Sequence, residues 1–176
     1  LHNRDMVSTS VPALNIAFAG DLDKGFESGL TVFAGPSKHF KTLIMLLAAK
    51  AYLNTYSDAV MIFYDSEFGA SDEYFQSMGI DTSRVVHIPI KNIEELKFDV
   101  MQQLEMIKRG DKVFIGIDSV GNLASLKEME DAINGKSVAD MSRAKQLKGL
   151  FRMVTPYLTM NDIPMFTVAH TYQTQE

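Results

Sequence analysis

The chain has 176 residues, 46% of them hydrophobic and 22% charged, a composition that can bury a sizeable core in one globular domain. Its net charge of −5 excludes a bulk electrostatic nucleic-acid binder, so any DNA contact has to be local or shared with a partner chain. It contains no cysteine, which excludes disulfides and thiolate metal sites and fits a reducing compartment; its histidines (His2, His39, His87, His170) lack metal-ligand spacing, and no stretch reads as a membrane span or a signal peptide.

The first readable element is the apolar run Leu30–Ala34, a buried strand. Gly35-Pro36-Ser37-Lys38-His39-Phe40-Lys41-Thr42 follows, and the pattern from Leu43 to Tyr56 predicts a helix. The octapeptide departs at one position from the phosphate-binding loop G-x-x-x-x-G-K-[ST], with Phe40 where the last glycine belongs. Between a strand and a helix such a loop turns backbone N–H groups toward a phosphate, and the helix N-terminus adds its positive dipole end. Lys41 then reaches the β- and γ-phosphates of a nucleotide, and Thr42 holds Mg²⁺ through its hydroxyl.

Residues 59–67 are apolar and then abruptly acidic, ending Asp65-Ser66-Glu67. A short helix near 72–78 and a strand near 84–90 follow. The clearest helix covers 93–109, with Ile93, Leu96, Val100, Leu104 and Ile107 on one face, Asn92 as N-cap with Glu95 three residues on, and Lys108, Arg109 and Gly110 at its end. Residues 112–119 repeat the apolar-then-acidic pattern, ending Asp118-Ser119. The polar segment 121–139 reads as a long loop, with Gly135 weakening any continuous helix. A helix near 140–159 buries Met141, Ala144, Leu147, Phe151, Val154 and Leu158, and its Lys145, Lys148 and Arg152 suit a solvated face better than a DNA site. A last strand covers 163–169.

Alternating strands and helices predict an α/β fold with a mostly parallel sheet and helices on both faces. Continuous apolar strands are buried on both faces, and ligands in such sheets bind beyond the carboxyl ends of the strands. Asp118 then suits a carboxylate that organises Mg²⁺ through water, and Glu67 a base that orients the attacking water. Each carboxylate taken singly also suits the cap of the next helix. Bringing Glu67, Asp118 and His170 beside the phosphate loop requires the strand order 30–34, 163–169, 112–118, 59–65, 84–90. The chain reads as a single domain over 1–176. It starts at Leu1 and stops at Glu176, shortly after an interior strand, which reads as a piece of a longer protein cut at both ends.

Four segments in order, GPSKHFKT, YDSEFG, FIGIDSVGNLAS and VAHTYQTQE, resemble the RecA-type recombinases, and among them the UvsX strand-exchange proteins of phages, from about Val11 to Glu176. Those phage proteins also place Phe before the loop lysine. The resemblance implies a RecA-like nucleotide hydrolase core that binds ATP and Mg²⁺. The parent protein then binds single-stranded DNA as a helical filament, exchanges strands with double-stranded DNA and acts in the host cytoplasm. It assigns Lys41 and Thr42 to phosphate and Mg²⁺, Glu67 to the base and Asp118 to the metal carboxylate. It also assigns Tyr74 to an aromatic stacked on adenine and His170 to a γ-phosphate sensor. From the residues alone, Tyr74 equally suits a core aromatic and His170 a structural strand end. Ser71 replaces a family aspartate at the adenine edge. Residues 121–139 match the first DNA-binding loop, and the second begins near Thr171. Cations from a neighbouring subunit and the tethering N-terminal segment lie outside the matched region, so the chain by itself is expected to be a weak hydrolase, monomeric or weakly associating, with poor DNA binding. Two other classes share parts of the pattern: a RecA-like helicase or motor, and a non-hydrolysing nucleotide-binding recombination mediator, against which Glu67 argues. A small-molecule kinase fits less well, since no lid or acceptor pocket is readable.

Overall fold

Alternation along the strands sets the architecture, because successive side chains point to opposite faces of a sheet. The computed structural model describes residues 6–19, 24–35, 38–68, 71–121, 123–136 and 142–170. Its elements are α1 (Pro12–Ala19), β1 (Gly29–Gly35), α2 (Lys38–Thr55), β2 (Val60–Asp65), α3 (Asp72–Ser77), β3 (Val85–Pro89), α4 (Ile93–Met106), β4 (Val113–Asp118), α5 (Leu126–Ile133), α6 (Ser142–Asn161) and β5 (Pro164–His170). The five strands form one sheet in the order β1-β5-β4-β2-β3, every pair parallel. That is the order expected from the sequence.

Met61 and Phe63 of β2, Phe114 of β4, and Phe166 and Val168 of β5 face one side, where they pack on Met45, Leu46, Ala49 and Tyr52 of α2 and on Phe75 of α3. Phe26, Phe114 and Phe166 meet there at edge and tilted angles, with centroids 4.9–6.0 Å apart. Ile62 and Tyr64, Ile115 and Ile117, and Met165 face the other side, against Ile93, Leu96, Val100 and Leu104 of α4 and Leu150, Val154 and Leu158 of α6. β4 is central and buried throughout; β3 is an edge strand whose residues are all partly or fully exposed. Gly116 of β4 faces α2. A Cβ there would meet Met61 Cε at 3.0 Å and Met45 Sδ at 3.1 Å, so glycine lets α2 lie close over the middle of the sheet.

Four expectations are corrected. α2 begins at Lys38, five residues before Leu43, so Lys41 and Thr42 stand in its first turns. α4 stops at Met106, because Ile107 is extended; Lys108–Asp111 is a separate turn in which Asp111 Oδ2 accepts the Lys108 amide at 2.8 Å and Gly110 takes the left-handed conformation. The segment 121–139 contains a helix, α5, N-capped by Ser125 and held by Glu94, which accepts the Leu126 amide, and by the Arg143–Glu128 pair at 2.7 Å. On α6, Leu150, Val154 and Leu158 form the buried row, Leu147 and Phe151 lean against it, and Ala144 is exposed; Met141 lies outside the described residues. Lys145, Lys148 and Arg152 are exposed. Helix α1 and the antiparallel bridge between Val7 and Phe26, which adds both residues to the α2-side core, had no counterpart in the sequence reading. No helix of the described residues is long and apolar enough to cross a membrane.

Candidate functional site at the carboxyl edge of the sheet

Five parallel strands deliver their carboxyl ends to one edge, and register decides which residues meet there. Asp65 is paired with Asp118, Asp118 with Val168, and Gly35 with His170. Strand β1 ends at this edge and α2 starts three residues later, so the amides of the first turn of α2, which have no partner within the helix, lie beside it.

Two side chains of that turn bind the strand ends. Thr42 Oγ1 donates to Asp118 Oδ2 at 2.8 Å. Lys41 Nζ donates to the Ala169 carbonyl of β5 at 2.7 Å. Asp118 shares the α2-facing parity of Phe114 and Gly116, which is why it meets Thr42. Lys41 was expected in the loop before a helix from Leu43; it stands in the helix and is only 4% exposed, its side chain folded against β5. Burial lowers the pKa of Lys41 from its ordinary 10.5, and neighbouring Asp118 opposes that shift. A buried ammonium beside one carboxylate is a costly arrangement that an anionic ligand relieves.

Glu67 follows the end of β2 and is half-buried. Its backbone is fixed from both sides. Ser66 is joined to β4: its amide donates to the Asp118 carbonyl (2.9 Å), its hydroxyl to the Ser119 carbonyl (2.8 Å), and its Oγ accepts the Ser119 amide (2.7 Å). The Asp118–Ser119 peptide is cis. On the other side, Asp65 Oδ1 accepts the amides of Glu67 (3.0 Å) and Phe68 (2.9 Å). The capping alternative for the two carboxylates does not hold, because the N-cap side chains of α3 and α5 are Ser71 and Ser125.

The remaining expected residues distribute as follows. Tyr74 lies on α3 and is 37% exposed, while the core role on that helix falls to the adjacent Phe75. Ser71 accepts the Tyr74 amide at 3.2 Å. Phe40 is 61% exposed on α2, so the residue that breaks the glycine pattern is not wedged into the core. Gly35 closes β1, and Lys38 and His39 open α2; the side chains of 34–39, all of Pro36 and Ser37, and everything from Thr171 lie outside the described residues. His170 is the last residue of β5, and its side chain is likewise outside them.

Among the described residues no group of three or more His, Cys, Asp or Glu side chains could hold a metal ion. The Asp118 carboxyl and the Thr42 hydroxyl are nonetheless adjacent hard oxygen donors. Such a pair fits Mg²⁺, which keeps several waters and takes further ligands from phosphate.

Sequence reasoning missed Asp65, Ser66 and His87. His87 Nε2 lies 2.9 Å from Asp65 Oδ2, and its ring packs on Phe63 and Phe75. The signal for Asp65 was the run Asp65-Ser66-Glu67 itself, in which only the glutamate had been assigned a role. His87 becomes visible only once β3 is paired with β2.

No family model matches the chain. It is 50% identical over 175 residues to a recombination and repair protein of Enterobacteria phage T4, an alignment that covers 99% of this chain and 45% of that protein. The chain thus spans less than half the length of that relative.

Proposed function

We propose that this chain is the ATP-hydrolysing core of a phage recombination and repair protein, working with Mg²⁺ in the host cytoplasm. The observation that carries the reading is the Thr42–Asp118 hydrogen bond at the sheet edge, which joins the last residue of the phosphate-loop motif to the strand-end aspartate. The similarity to a recombination and repair protein of phage T4 supports the biological context.

In this reading the α2 N-terminus and the loop 35–42 cradle the phosphates through backbone N–H groups. Lys41 leaves the Ala169 carbonyl and turns to the β- and γ-phosphates, where its charge stabilises the transferring phosphoryl group. Thr42 and Asp118 would hold Mg²⁺, which would supply further positive charge to the phosphates. Glu67 orients the attacking water and accepts its proton as the new P–O bond forms and the bond to the ADP oxygen breaks. Tyr74, exposed on α3, stacks on the base. Ser71, which caps α3, stands where the resemblance implies an aspartate at the purine edge. His170, at the end of β5, passes the state of the γ-phosphate to the segment beyond residue 170. DNA binding, in single- and double-stranded form, and self-association into filaments are properties proposed for the longer protein.

The test is Glu67→Gln, which keeps size and shape and removes the base. In the intact protein hydrolysis should fall by about 10²–10⁴-fold with nucleotide affinity little changed. Hydrolysis at the wild-type rate would place the base elsewhere.

A further inference from the structure

We infer that Asp65, with His87 behind it, is the positioning residue for Glu67 and sets the rate of hydrolysis without contributing to nucleotide affinity. This rests on the reading of Glu67 as the base. The chain has to leave β2 and turn toward α3 within a few residues, and Glu67 sits in that turn. Asp65 Oδ1 takes two successive amides, those of Glu67 and Phe68. Phe68 has φ of 55°, a left-handed conformation that side chains other than glycine adopt only when their surroundings impose it. Asp65 imposes it. Ser66 meanwhile binds the preceding residue to β4 through Ser119. The direction in which the Glu67 side chain leaves the backbone is therefore fixed by β4 on one side and by the Asp65 carboxyl on the other.

Asp65 is in turn held. Its second oxygen faces His87 Nε2 at 2.9 Å, and the imidazole is fixed by Phe63 (centroids 5.4 Å apart) and Phe75 (6.3 Å). Asp65 is buried and both its oxygens are engaged, Oδ1 by the two amides and Oδ2 by His87, so it acts on the reaction through Glu67 and not on a ligand. A base that aligns a water is sensitive to displacement, and a shift near an ångström can cost about 10²-fold in rate.

The test uses hydrolysis rates and nucleotide titrations on the intact protein, with Asp65→Ala, Asp65→Asn and His87→Ala made alone and in a Glu67→Gln background. Asp65→Ala should lower kcat by about 10–100-fold and change nucleotide affinity by less than about threefold. Asp65→Asn keeps an oxygen for both amides and should recover most of the lost rate. His87→Ala should lower kcat by about 3–10-fold. In the Glu67→Gln background neither alanine variant should cost more than about twofold further, because the group they align is already gone. A merely structural role predicts the opposite: the same loss in both backgrounds, with affinity falling alongside, and that result overturns the inference. So does a wild-type rate for Asp65→Ala, or for His87→Ala should Asp65→Ala fail to fold. If Glu67→Gln itself hydrolyses normally, the reading of the base falls and the positioning role falls with it. If Glu67→Gln is slow and both alanine variants are fast, only the positioning role falls.

Discussion

At Lys41 the fold keeps an ammonium almost out of water, with the Ala169 carbonyl as acceptor and Asp118 nearby. The loop motif singles out the residue and suggests its proposed role but not its burial, because the motif leaves open where the helix starts. With its folded pKa below the ordinary 10.5, Lys41 holds fewer protons folded than unfolded between the lowered value and 10.5. Its contribution to stability therefore rises as pH climbs through that window. At neutral pH the buried charge costs stability, which is common where a residue is kept for ligand binding. Lys41→Met retains most of the aliphatic stem and deletes the charge. Its thermal midpoint, followed by circular dichroism at neutral pH, should equal or exceed that of the wild type. A midpoint several degrees lower would mean that the bond to Ala169 outweighs the desolvation.

At the scale of elements, strands and their ends were legible and helix boundaries less so. A continuous apolar run that stops at an acid marks a buried parallel strand, and β2 and β4 follow that rule. α5 was read as loop because its segment is polar. Its Ser125-Leu126-Lys127-Glu128 run has the serine-to-glutamate spacing of a helix start, and Ser125 does accept the Glu128 amide. α4 ended early because the Asp111 side chain takes the Lys108 amide and starts a turn, a competition that periodicity cannot reveal. The packing of α2 and α4 on the sheet also buries two phenols. Tyr64 of β2 donates to Asp99 of α4 at 2.6 Å, and Tyr52 of α2 packs beside Tyr56 and Phe114. Burial raises both pKa values above the ordinary 10.0, assisted by Asp99 for Tyr64 and by Tyr56 for Tyr52. A raised folded pKa means that stability from these groups is complete below about pH 10 and is lost as pH rises further. In an ultraviolet titration Tyr52 and Tyr64 should ionise only together with loss of far-ultraviolet dichroism. Ionisation of all six tyrosines near pH 10 with the fold intact would contradict the packing of both helices.

For the whole molecule, the strand order followed from a functional requirement: Glu67, Asp118 and His170 had to reach one edge beside the phosphate loop. The sheet has that order, and the backbone positions of these residues lie at that edge. What stayed illegible is what depends on neighbours distant in sequence: the Asp65–His87 contact across β2 and β3, the clasp of Ser66 on Ser119, and the bridge that brings Val7 to Phe26. The net charge of −5 gives this chain no bulk attraction for DNA, and the chain spans 45% of the T4 relative. The α2 turn and the β4 end are proposed to form one nucleotide site. The direct test is calorimetric titration of Mg-ATP into the wild type and into Lys41→Met. The wild type should bind measurably, though weakly for this chain alone, and Lys41→Met should lose most of that binding with the fold intact; equal affinity in the two proteins would rule out a shared site.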